Sequence, residues 1–220
     1  MNKNTTSQDF ATHLSIAFSV TFLTILALLH FLKPELDPSW RMISEYEIGR
    51  FGWLMRVNFF FWGFSLLAFL VAFWHVINGF GGKVGLGWLA LMVFTLFGAG
   101  IFVTNPILDP SVNIANTLHS IFGTFVIMTF PIASLFVVGS LARNPRWTAP
   151  GWHLWSLEGL VWLSVFAFFA SIIISQAINP ATGRVGPEVF LGWPNRFLVF
   201  VYHLWIIVLA LDLRKTISNT

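Results

Sequence analysis

The chain has 220 residues, of which 56% are hydrophobic and only 10% charged, with a formal net charge of +3. A soluble domain carries about 25% charged residues, so this composition leaves little polar surface to face water. Three excess positive charges scattered over short loops give no nucleic-acid footprint, and the absence of cysteine removes disulfides, Fe–S clusters, c-type haem attachment and thiolate nucleophiles.

Stretches free of Asp, Glu, Lys and Arg run over 10–32, 57–82, 84–108, 110–142, 159–183 and 197–211. A spanning helix needs roughly 20 mostly apolar residues. Extending the shorter runs past single charges predicts six spans, near 12–32, 51–77, 85–104, 115–141, 153–178 and 192–213. The expected fold is all-α: one polytopic six-helix transmembrane domain over 1–220, embedded among membrane lipids.

The first span is longer than a signal-peptide core and is followed by Lys33-Pro34 rather than a small-residue cleavage site, so it is expected to remain as a helix. Lys33-Pro34-Glu35-Leu36-Asp37-Pro38 ends it, because proline cannot continue a helix. The second span contains Arg56, and Gly79-Phe80-Gly81-Gly82-Lys83 reads as the tight turn after it. Gly98-Ala99-Gly100, late in the third span, would allow close helix packing. Asn105-Pro106 and Asp109-Pro110 bracket the third loop, and Pro131 lies inside the fourth span. Asn144-Pro145-Arg146 and Pro150-Gly151 form the fourth loop. The fifth span carries Glu158, Asn179-Pro180-Ala181-Thr182-Gly183 opens the fifth loop, and the sixth span carries Arg196. Tryptophans 40, 53, 74, 88, 147, 152 and 193 fall near span ends, where interfacial anchors sit.

Six spans place both termini on one side. That side has Lys3, Lys83, Arg143, Arg146, Arg214 and Lys215; the other has Lys33, Arg41, Arg50 and Arg184 with six acids. The excess of basic residues puts the termini in the cytoplasm of a plasma (inner) membrane.

Ionisable residues inside a membrane usually face the bundle interior and have a partner. Arg56, His119, Arg196 and His203 all lie in the outer halves of their helices, while Glu45 and Asp109 lie in outer loops. Together they predict an outward polar pocket, with Glu45, Arg56, His119 and Arg196 as ligand-binding residues. Guanidinium groups suit a phosphate or carboxylate head, which makes a lipid or other amphiphile the expected ligand. The competing reading is structural: arginines snorkelling to the interface and a histidine bonding a neighbouring helix. Asp109, His119 and His203 are candidates for a catalytic or zinc-holding set in a membrane-embedded hydrolase or transferase, although no ligand-spacing motif joins them. His119 and His203 differ in depth by roughly 10 Å, which is awkward for one haem. No lysine lies within a span for a retinal Schiff base. Glu158 would serve as a proton carrier, or more simply pair with His75 or stay neutral.

Three short blocks resemble a known family. They are Met42-Ile43-Ser44-Glu45 with Gly49 and Gly52; Gly100-Ile101-Phe102 with Pro106 to Asp109 and Leu118-His119; and Gly192-Trp193-Pro194-Asn195-Arg196 with Trp205. Together they resemble a prokaryotic six-span membrane family known only as a domain of unknown function, similar in layout to DRAM-type membrane proteins. The chain departs from that pattern at Tyr46-Glu47-Ile48 and Val103-Thr104-Asn105. The resemblance implies the fold and the candidate positions Ser44, Glu45, Asp109, His119 and Arg196, and no activity.

Overall fold

The structure is a computed structural model and describes residues 3–109, 111–178 and 185–218. Pro110, the predicted loop signal at 179–183 and Arg184 lie outside the described residues. Six helices follow in chain order: α1 (Lys3–Leu32), α2 (Gly52–Phe73), α3 (Gly79–Ile101), α4 (Ile114–Leu141), α5 (Gly151–Ile178) and α6 (Gly192–Ser218). Each is long and apolar enough to cross a membrane. A short 3-10 helix, Ile43–Glu47, lies in the α1–α2 connection, and the described residues contain no strand.

Each helix packs on its neighbours in sequence, and α6 returns to α1. Short connections force consecutive spans to run antiparallel, so the bundle is an up-and-down ring. Large aromatic side chains fill its axis. Phe69 stacks on Phe73 and Phe130 on Tyr202, each with ring centroids 4.0 Å apart. Trp205 meets the edge of Phe130 at 5.4 Å.

The predicted span centres hold, but one boundary needs correction. Gly79 to Lys83 is the first turn of α3, and the reversal before it occupies residues 74–78. The glycines there serve packing. A Cβ on Gly85 would stand 2.9 Å from the Ala133 carbonyl oxygen, and one on Gly82 would meet Ser140 at 2.6 Å, so α3 and α4 approach backbone to backbone. Gly100 does the same for α3 against α2, since a Cβ there would stand 2.8 Å from the Arg56 carbonyl oxygen. Trp147, in the α4–α5 connection, is buried against Phe73.

α5 is the loosest member of the ring. None of its residues beyond Phe168 is buried, and in that last third only Phe169 and Ile172 touch the core.

Candidate functional site

The site is built at the end of the bundle opposite the termini, where the 33–51 segment folds over the helix ends. Gly49 takes a left-handed φ of 69° that lets the chain turn toward α2. Lys33, just past α1, buries its ammonium against the carbonyls of Tyr46 and Ile48. Burial pushes that amine below its usual range, and Glu35 and Glu45 partly offset this.

Arg196 of α6 holds the segment from beneath. Its Nη1 reaches the carbonyls of Arg41 at 2.6 Å, Gly192 at 3.0 Å and Pro38 at 3.4 Å. Its Nη2 donates to the Tyr46 hydroxyl at 3.0 Å, and its Nε to His30 Nε2 at 2.7 Å. His30 can accept there because its Nδ1 donates to the Leu26 carbonyl. Gly192 lies so close to this segment that a Cβ would stand 2.3 Å from Pro38 O. One residue before the arginine, Asn195 Oδ1 accepts from the Ile43 amide at 3.1 Å.

Two buried glutamates tie the same segment to the α3–α4 loop. Glu45 Oε1 accepts from the Ile107 amide at 2.8 Å and pairs with Arg41 Nη1 at 2.9 Å. Glu47 Oε2 accepts from the Thr104 amide at 3.2 Å and lies 3.3 Å from His119 Nδ1. Burial pushes the Glu47 carboxyl up to about 8, against the lowering effects of the Thr104 amide and Arg56. His119 Nδ1 also meets the carbonyls of Phe102 at 2.7 Å and Ala99 at 3.1 Å. Carbonyls only accept, so Nδ1 carries the proton and Nε2 is the acceptor nitrogen. His119 therefore caps the open C-terminal carbonyls of α3.

Between these ties lies a cavity of about 280 Å³. Its floor is apolar: Phe59 and Trp62 of α2, Leu96 and Ala99 of α3, Val126 of α4 and Val199 of α6. Its upper wall is polar, with Ser44, Glu45, Asp109, Asn116, His119 and Asn195. Ser120 and Thr124 of α4 continue that wall toward the outside of the bundle. Below, the Tyr202 hydroxyl donates to the Ile127 carbonyl at 2.8 Å and closes α6 against α4.

Of the sequence candidates, Ser44, Glu45, Asp109 and His119 share the cavity lining. Arg56 and Arg196 do not line it. Arg56 is exposed and donates to the Gly100 carbonyl at 3.3 Å, and Arg196 is fully engaged as described. His203 is buried in the aromatic core, stacked on Phe22 at 4.2 Å and against Trp62 at 4.9 Å. Neither of its ring nitrogens has a hydrogen-bond partner among the described residues. Asp109, His119 and His203 are thus not brought together, and no group of three His, Asp or Glu side chains suited to a metal occurs among the described residues. Asp109 is exposed, and the Ser111 amide and hydroxyl hold its carboxyl below the usual range. Glu158 accepts from Ser134 at 3.1 Å and not from His75.

Sequence reasoning missed Glu47, Lys33, Tyr46 and His30. Glu47 sits in the stretch that departs from the resembled pattern, and only its proximity to Glu45 marked it. The three resembled blocks, far apart in the chain, meet here: the first binds the second through Glu45 and the third through Ile43, with Arg41 just before the first block adding its carbonyl to Arg196.

A family described as Protein of unknown function (DUF998) matches residues 16–212 of the chain. No curated protein and no solved structure matches it.

Proposed function

The chain belongs to the DUF998 family of proteins of unknown function, and on that premise we propose that it binds a lipid or other amphiphile as a carrier, sensor or modulator. The plasma membrane, with the termini cytoplasmic, is the proposed setting, which places the cavity toward the outer leaflet. One observation carries the reading: a cavity in a membrane bundle with an apolar floor and a polar wall at one end. Small-molecule sites have this form, mostly apolar with a few placed polar groups. The buried ties around it hold the wall in place, so the cavity is preformed.

The two arginines expected to grip a headgroup support the walls instead. Arg196 reaches the ligand only through the segment it holds, and Arg56 anchors α2 to α3. Gly123 offers a direct test, because it lines the cavity and a Cβ placed there meets no atom within 4 Å. Leucine at that position fills the site from a backbone that need not move. Native mass spectrometry after mild extraction is expected to show a retained amphiphile on the wild type and none on Gly123→Leu. A wild-type protein that emerges free of any amphiphile from native membranes sinks the proposal.

A further inference from the structure

We infer that the cavity takes an amphiphile with an uncharged, hydroxyl-bearing head of the acylglycerol type, admitted sideways from the membrane between α4 and α6; this rests on the amphiphile reading above. The head follows from a charge census. Among the described residues, no lysine or arginine lines the cavity. The described cations nearby are turned elsewhere: Arg196 to carbonyls and Tyr46, Arg41 to Glu45, Lys33 to the Tyr46 and Ile48 carbonyls, and exposed Arg56 to the Gly100 carbonyl. Asp109 at the rim stays ionised, held so by Ser111. A phosphate or carboxylate head would therefore meet a carboxylate and no cation in the lining among the described residues. A bare ammonium would find Asp109 only at the exposed rim, where water screens the attraction, because Glu45 further in is already bonded to Arg41, Met42 and Ile107.

What remains is neutral. The hydroxyls of Ser44, Ser120 and Thr124 make no hydrogen bond among the described residues, and Asn116 and Asn195 spend their oxygens but not their amide nitrogens on the protein. His119 Nε2 adds an acceptor. Hydroxyl groups, which both donate and accept, match that mixture. At about 280 Å³ the cavity lies at the small end for ligand sites, so it fits one compact head and the first methylenes rather than an oligosaccharide.

The route follows from α4 and α5. Ser120 and Thr124 are exposed and also line the cavity. Thr124 lies ten residues into α4, about 15 Å along the helix at about 1.5 Å per residue. Hydroxyls on membrane helices commonly bond back to the carbonyl four residues earlier, as Thr117 and Thr129 do. Ser120 and Thr124 do not, and their hydroxyls stay available on the path. Beside them α5 is only partly buried beyond Phe168, and the described bond that joins α4 to α6, Tyr202 to Ile127, lies below Ser120 and Thr124.

The test titrates purified protein with monooleoylglycerol, its phosphate monoester and oleylamine, with adducts counted by native mass spectrometry. Monooleoylglycerol is expected to be retained at least about tenfold better than either charged probe, and Gly123→Leu to abolish it. Thr124→Trp, on an exposed position that should not disturb folding, is expected to slow uptake of monooleoylglycerol from phosphatidylcholine vesicles. Equal or better retention of a charged probe, lost in Gly123→Leu, overturns the head while leaving amphiphile binding standing. Retention of none of the three overturns both. Uptake by Thr124→Trp at the wild-type rate overturns sideways entry, and Thr124→Trp also reports on the cavity should Gly123→Leu not fold.

Discussion

A single guanidinium illustrates how polar residues are used in this bundle. Arg196 satisfies the part-buried carbonyls of Pro38 and Arg41 in the 33–51 segment and that of Gly192 in its own helix, groups that are costly to leave unpaired in a low-dielectric setting. Arg196→Ala is expected to cost more than about 3 kcal/mol, because several charge-assisted bonds go at once. Arg196→Lys should recover little, since an ammonium lacks the planar fork that reaches His30, Tyr46 and Arg41 together. Thermal unfolding in detergent reads both, and near-wild-type stability for the lysine variant would refute the bracing role. Glu47 yields a different signature. An unfolded glutamate ionises near 4.5 and this one near 8, so between those values the folded protein keeps a proton that the unfolded chain has released. Stability should fall as pH rises through that window and level off above it, by several kcal/mol at about 1.4 kcal/mol per pKa unit. Glu47→Gln should flatten the profile and raise the melting temperature at pH 8; an unchanged slope would assign it to another group. At this scale the sequence was half legible. Glu45, Asp109 and His119 stood out as ionisable groups near span ends, whereas Glu47 and Lys33 looked like ordinary loop charges. Their burial is decided by a chain reversal that no local pattern encodes.

Among the elements, hydrophobic length fixed the number and centres of the helices, while their ends depended on packing. The glycine cluster at 79–83 has the composition of a turn, yet α3 starts there because α4 lies too close for side chains. Gly85→Leu is accordingly expected to destabilise the protein, by about 1–3 kcal/mol for an overpacked contact, with Ala133 as the obstructing backbone. The same substitution at Gly87, where a Cβ meets nothing within 4 Å, should be close to neutral. Comparing the two melting temperatures checks the packing argument, and equal losses would contradict it. Hydrophobicity alone could not reveal how α5 leaves the core, because its last third is as apolar as the rest. Membrane-facing and core-facing residues look alike when lipid is as greasy as leucine.

At the scale of the whole molecule, the basic-residue bias proposes an orientation that chemistry can read directly. The chain has no native cysteine, so single cysteines report cleanly. Val112 and Phe80 are each 88% exposed and lie at opposite ends of the bundle. In intact cells, a membrane-impermeant maleimide should label Val112→Cys, and Phe80→Cys only after permeabilisation. The reverse pattern would invert the proposed topology and move the cavity to the inner leaflet. The ring has one more consequence, for biosynthesis. The segment over the cavity is made early, between the first two helices; Lys33 and the α3–α4 loop can tie it from one side, but Asn195 and Arg196, which hold it from beneath, are on the last helix. A nascent chain therefore inserts five helices before this segment can complete its set of ties. A chain truncated before residue 192 should leave that segment open to proteases, a cue by which a cell can tell an unfinished copy from a finished one.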